Sequence, residues 1–185
     1  MGDGGIRRWW ENNMTQQQVL DLCKTYAPQY ELDPVLVLAV CQQESSFFHD
    51  AARLEQGFYR RYTMPDTLAT TTEILLASSY GLMQTMGQIL REHGFFKFYR
   101  EYHNKVHAEQ IVDPLGEVPV VKGINAYMVR PPWQVEWGCI HLRKKMDTAK
   151  GDVRKALLFW NGGGNPSYPG EVLLKYGKLG GKGKY

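Results

Sequence analysis

Residues 32–48 read "LDPVLVLAVCQQESSFF", an apolar run from Val35 to Cys41 that ends in two glutamines, a glutamate, two serines and two phenylalanines. Asp33 is suited to cap the free backbone N–H groups of a helix, and Pro34 to its first position, where a missing donor costs nothing. The stretch predicts a helix from about Pro34 to Glu44. On that helix Leu36, Val40 and Glu44 stand at i, i+4 and i+8, so the carboxylate emerges on the stripe of two core residues. Low-dielectric surroundings disfavour an ionised carboxyl and raise its pKa, which would let Glu44 hold and donate a proton near neutrality. The competing reading is a helix-end glutamate pointing into water, as most glutamates do. The stretch alone leaves both open.

Around this helix the chain has the makings of one globular domain. Its 185 residues suffice to bury a real core, and 43% hydrophobic with 12% aromatic residues exclude a disordered chain. A net charge of +3, with lysines and arginines spread along the chain and no RNA- or DNA-binding motif, argues against a nucleic-acid module, and no nucleic-acid partner is expected. No apolar run reaches about 18 residues, so no transmembrane segment is expected. The opening "MGDGGIRRWWENN" has charge and two tryptophans but no apolar core of a secretory signal, so no signal peptide is expected. Cys23, Cys41 and Cys139 match no metal-site spacing, and two of them lie in apolar helical stretches as small hydrophobes. His103 and His107 stand at i, i+4 but lack the glutamate of a metalloprotease helix, so neither a metal nor another cofactor is expected.

Helical signals dominate the rest and no internal repeat occurs. "TQQQVLDLCKTYA" opens on Thr15 with Gln18 three residues on, a capping box. Residues 49–70 are mixed and aromatic and read as an insertion. "TTEILLASS" predicts a short helix, "GLMQTMGQILREHGF" a further one ending near His93 and Gly94, and "PPWQVEWGCIHLRKKMDTA" an amphipathic one. Residues 113–123, "DPLGEVPVVKG", predict a loop. "DVRKALLFW" reads as the final helix, stopped by "NGGGNPSYPG". No strand set of any size is expected, and the class is mostly α. The expected organisation is an N-terminal extension 1–14, one domain 15–176 and a flexible Gly/Lys-rich tail 177–185.

Three separated pieces, "QQESSF" at 42–47, "SSYGLMQTM" at 78–86 and "ALLFWNGG" at 156–163, are each weak alone. In this order and at these separations the chain resembles the soluble-type (SLT) lytic transglycosylases, a branch of the lysozyme-like superfamily. Their pattern is Glu-Ser at a helix end, then Gly-Leu-Met-Gln, then Ala-Tyr-Asn followed by small residues. The string "ARLEQGFYRRY" ahead of "GLMQ" is similar to phage-encoded members. The resemblance covers about residues 15–176 and implies a single lysozyme-like domain, related to goose-type lysozyme.

Carried over position by position, the resemblance makes Glu44 the sole catalytic acid/base, acting on peptidoglycan glycan strands at the bond between N-acetylmuramic acid and N-acetylglucosamine. A glycosidic oxygen leaves poorly unless protonated as the bond breaks, so a neutral carboxyl is needed first and a base later. The same group then accepts the proton of the muramic acid 6-hydroxyl, which closes a 1,6-anhydro ring without consuming water. Gln84 matches the family glutamine that contacts the sugar, and Met83 and Met86 match apolar groove positions. Gly81 lets either the sugar chain or another helix approach the backbone. Ser79 or Ser78 matches a family serine in the groove. Ser45 has the competing role of a local helix-end hydrogen bond. Asn161 is placed near the acid, and Tyr168 is either a groove wall with a phenol or an ordinary packed tyrosine.

Two departures from the family pattern stand out. Trp160 replaces the usual Tyr before Asn161, keeping an aromatic surface and an N–H donor but no hydroxyl. "SSY" replaces Gly-Ala ahead of "GLMQ", so Tyr80 is expected to enter the groove. A hydrolytic muramidase would share the fold but needs a second carboxylate, for which Glu55, Asp66 and Glu73 are candidates. If Glu44 acts alone, Glu55 and Glu73 are expected to lie outside a productive position or to be tied to Arg53, Arg60 or Arg61. A non-enzymatic wall-binding or virion structural protein on the same scaffold is argued against by intact Glu44 and Gln84. The expected setting is a phage endolysin held in the host cytoplasm before release to the wall, or a virion-associated enzyme, acting as a monomer.

Overall fold

The computed structural model describes residues 13–63, 70–107, 117–183 and 185. Helix α1 (Gln16–Tyr26) starts on the expected capping box, with Thr15 and Gln18 satisfying each other's backbone N–H groups. A 3₁₀ turn (Ala27–Tyr30) leads to α2 (Pro34–Ser45), whose first turn is capped by Asp33 accepting the Val35 N–H at 2.8 Å. Helix α2 carries no single apolar stripe. Leu36 through Cys41 are all buried, because the helix runs through the middle of the domain between α1 and a C-terminal helix. It stops where Ser46 turns left-handed, at φ 52°.

A small antiparallel sheet follows, against the expectation of no strand set. It joins β1 (Ala52–Leu54), β2 (Ser78–Tyr80) and β3 (Thr85–Met86) in that order, with Arg53 opposite Ser79 and Ser79 opposite Met86. Strands of two or three residues are too short to leave a period-2 signature. Between β1 and β2 lie a short helical turn α3 (Gln56–Phe58), a π-helical turn (Tyr59–Thr63) and α4 (Thr71–Leu76), which begins on a Thr70–Glu73 capping box. Asp66 falls outside the described residues.

The "GLMQ" segment is a turn, and only α5 (Gly87–Glu92) of the helix expected there is helical. Positive φ at Gly81 (72°) and Gln84 (46°) reverses the chain between β2 and β3. Helix α6 (Phe95–Val106) comes next, and α7 (Glu117–Met128) occupies most of the stretch read as a loop. The loop reading rested on two prolines and two glycines, and two of these four, Pro119 and Gly123, lie within the helix. Helix α8 (Pro131–Thr148) and α9 (Val153–Trp160, capped by Asp152) follow as expected. A further helix, α10 (Tyr168–Lys178), continues the chain beyond the expected stop. The tail after it is tied down: the Gly183 N–H donates to the Tyr176 hydroxyl at 2.7 Å, and that hydroxyl donates to Asp33 Oδ2 at 2.7 Å.

Two apolar clusters hold these elements. One surrounds α2 and takes in Leu82, Met83, Cys139, Leu157 and Tyr168 with all three free cysteines. The other is aromatic, built on Phe95, Tyr99, Tyr127 and Trp137. Helix α8 serves both, presenting Val135, Cys139 and Leu142 to the first and Trp137 to the second. Among the described residues no helix is long and apolar enough to cross a membrane.

Candidate active site

Glu44 occupies the last turn of α2 at a cleft between the α9 end and the small sheet. Two donors meet one of its oxygens. The Trp160 Nε1–H, from the last residue of α9, lies 2.9 Å from Glu44 Oε1, and the Tyr168 hydroxyl, from the first residue of α10, lies 2.5 Å from the same atom. Burial lifts the Glu44 pKa above the ordinary carboxyl range; the two hydrogen bonds and Arg53 offset part of the rise, and Glu55 adds to it. The Tyr168 phenol is driven far above its usual range by burial first and by Glu44 second, so it stays protonated and can only donate here. With Oε1 accepting both donors, the proton of a neutral Glu44 belongs on Oε2.

The opposite side of the cleft is polar and belongs to the sheet. Arg53 grips Glu55 Oε1 through Nε at 3.1 Å and Nη2 at 2.8 Å, and the Ser79 hydroxyl donates to the same oxygen at 2.6 Å. Gln84 donates its amide to the Ala51 and Gly81 carbonyls, both at 3.0 Å, which pins the turn and leaves its own carbonyl as an acceptor. Phe58, Met86, Ile89, His141, Lys145 and Phe159 also line the cleft.

Of the residues expected at the site, Glu44, Ser79, Gln84, Met86, Trp160 and Asn161 line this one cleft. Asn161 also accepts the Asn165 N–H at 2.9 Å, holding the glycine-rich turn after α9. Tyr168 is 3% exposed, so it forms no groove wall, yet its phenol is on the acid. Three expectations are corrected. Ser45 is buried and donates to the Cys41 and Leu82 carbonyls, the helix-end role. Met83 is fully buried against Gly138, where a side chain would collide with its sulfur. Tyr80 points away from the groove into the aromatic core, donates to the Leu75 carbonyl at 2.8 Å and has its pKa pushed up to about 12 by burial.

Glu55 shares the cleft with Glu44 and is bound by Arg53, one of the arrangements expected for it. Glu73 is absent from the lining, and its carboxylate is spent on the Thr70 cap instead of an arginine.

One residue that sequence reasoning missed is Gln134. It is fully buried on α8, accepts the Leu82 N–H at 2.9 Å and donates to the carbonyls of His49, Tyr127 and Met128. It also fills the space a side chain at Gly81 would need, so that glycine answers both to its φ and to the approach of α8. The signal existed: Gln134, Gly138 and Leu142 fall at i, i+4 and i+8, the same polar residue on a core stripe that singles out Glu44.

Residues 21–108 match the family model described as Transglycosylase SLT domain, a span that holds Glu44 and the Gly81–Gln84 turn and ends before Trp160 and Tyr168. No curated protein and no solved structure matches the chain.

Proposed function

We propose, on the match of residues 21–108 to the transglycosylase SLT domain, that the protein is a lytic transglycosylase that cleaves the bond between N-acetylmuramic acid and N-acetylglucosamine with formation of a 1,6-anhydromuramoyl end. The observation that carries this reading is the pair of donors converging on one oxygen of a buried glutamate. They orient the carboxyl with its proton-bearing oxygen as the reactive one. Glu44 Oε2–H protonates the departing oxygen of N-acetylglucosamine as the C1–O bond breaks, leaving oxocarbenium character on the muramoyl ring. The resulting carboxylate then takes the proton of that ring's 6-hydroxyl while its oxygen bonds to C1. The proton lent in the first half is recovered in the second, so the acid is regenerated and water is not a reactant. Trp160 and Tyr168 stabilise the transient carboxylate in a site where burial would otherwise disfavour it.

A second carboxylate does line the cleft, and this favours hydrolysis as the alternative, with Glu55 activating water. Glu55 is poorly prepared for that task, because an arginine and a serine hydroxyl already occupy one of its oxygens. The phage setting rests on the "ARLEQGFYRRY" string, and we infer a wall-degrading endolysin or virion-associated enzyme. Digestion of purified peptidoglycan decides the chemistry. The expected muropeptides are lighter by one water than lysozyme products and resist borohydride; reducible muramic acid ends would move the protein to the muramidases.

A further inference from the structure

The chemistry above engages Glu44, Trp160 and Tyr168 and leaves a histidine pair beside the cleft without a task. His93, just after α5, and His141, on α8, approach with His93 Nε2 2.9 Å from His141 Nδ1, and the Lys144 ammonium lies 2.7 Å from His93 Nδ1. An ammonium carries three donors and no acceptor, so His93 Nδ1 must accept. A neutral His93 then carries its hydrogen on Nε2 and gives it to His141 Nδ1, which must accept in turn. The hydrogen of His141 is thereby fixed on Nε2. Both rings stay neutral: burial and then Lys144 lower the His93 pKa, while burial and then Lys145, His93 and Lys144 take His141 down to about 3.

The position of His141 gives this relay a purpose. The residue lines the same cleft as Glu44, and its ring lies 5.1 Å, centroid to centroid, from the Trp160 indole, the group that hydrogen-bonds the acid. A polar ring so deeply buried costs stability unless its hydrogen-bonding atoms are used. His93 uses Nδ1; the Nε2–H belongs to a residue at the cleft surface.

We propose that His141 is a substrate-binding residue, locked by Lys144 and His93 as an Nε2–H donor for a hydroxyl or N-acetyl carbonyl oxygen of the glycan next to the scissile bond. The assignment rests on the peptidoglycan reading above and adds a subsite contact to it. A donor that can neither change tautomer nor take up a second proton near neutral pH recognises an acceptor oxygen over the whole working range. An amide or hydroxyl in its place would be free to rotate.

Two measurements test it. Long-range ¹H–¹⁵N spectra of the free protein should show both rings protonated on Nε2 alone. Adding a tetramer of N-acetylglucosamine to the Glu44→Gln variant should shift the His141 Nε2 resonance and slow the exchange of its hydrogen with water. In kinetics on soluble, uncross-linked glycan strands, His141→Phe should raise KM about fivefold with kcat within about twofold, the loss of one hydrogen bond with the ring contact to Trp160 kept. His141→Gln, which restores an N–H, should recover most of that KM. An Nδ1–H tautomer, an unmoved resonance on binding, or a parental KM in His141→Phe overturns the inference while anhydro products from the parent keep the proposed reaction standing. A parent that neither binds nor cleaves glycan overturns both, and the spectra of the free protein still report whether the relay exists.

Discussion

The two walls of the cleft are built on opposite principles. On the helical wall Trp160 and Tyr168 come from the ends of α9 and α10, pack on the core around α2 and spend their polar atoms on Glu44. On the sheet wall Arg53 and Glu55 form an ion pair at the cleft surface, with the Arg53 side chain 61% exposed, and the buried Ser79 hydroxyl donates to Glu55 from beneath. Desolvation dominates the first wall and solvent screening the second, so the same kind of hydrogen bond does different things in each. Near Tyr168 it adjusts the proton affinity of a buried acid; near Arg53 it orders side chains for a polar ligand.

The contrast is tested hardest at the acid. Glu44→Gln removes the proton donor while leaving an oxygen to accept from Trp160 and Tyr168, and wall-lytic activity should fall by about 10²- to 10⁴-fold. Clearing of cell walls at the parental rate would end the assignment. The same variant should be more stable than the parent at pH 7. The folded Glu44 pKa is raised, so its contribution to stability is full below the unfolded pKa and is lost as pH rises through the folded one. The glutamine variant lacks that loss, and its advantage should vanish near pH 4, a difference that thermal melts at the two pH values would read.

Tyr168→Phe comes next in size. It deletes one of two donors to the carboxylate, so the Glu44 pKa should rise further and the alkaline limb of kcat/KM should move to higher pH. Loss of a charge-assisted bond that strengthens as the carboxylate forms should cost about tenfold or somewhat more in kcat. A rate loss with an unmoved pH profile would reduce Tyr168 to a packing residue and dissolve the distinction between the walls.

How far the sequence alone reached follows the same division. Helix α2, its Asp33 cap and the place of Glu44 were legible because an apolar run, a cap and a proline act locally. The bonds of Trp160 and Tyr168 to the acid were not, since they depend on how the ends of α9 and α10 pack against α2, and "NGGGNPSYPG" reads as an ending when it is a turn into one more helix. Met83 was assigned to the groove by its match to the family pattern, and Tyr80 because "SSY" stands where the family has Gly-Ala. The left-handed Gln84 and the two- and three-residue strands turn both side chains inward, and such conformations are set by tertiary partners such as Gln134.

On the sheet wall the expected effects are smaller. Gln84 holds the turn through the Ala51 and Gly81 carbonyls, so Gln84→Ala should cost about 1–2 kcal/mol of stability as well as severalfold in turnover. An unchanged melting temperature with depressed activity would instead make Gln84 purely a sugar ligand; a lowered one with parental specific activity would make it purely structural.

Glu55→Gln should have the smallest effect on rate and the most informative one on pH. An ion pair this exposed contributes about 0–1 kcal/mol, so activity should stay within about fivefold of the parent, with 1,6-anhydro ends still formed. The charge of Glu55 raises the Glu44 pKa, whereas Tyr168 lowers it. Removing that charge also leaves Arg53 free to act on Glu44, and both changes favour the carboxylate. The alkaline limb should therefore move to lower pH in Glu55→Gln and to higher pH in Tyr168→Phe, opposite displacements of one profile by the two walls. If Glu55 were the base of a hydrolytic enzyme, the substitution would instead remove activity at every pH, and the parent's products would reduce with borohydride. A profile that moves down while turnover persists is compatible only with Glu55 as a charged neighbour of a single acid.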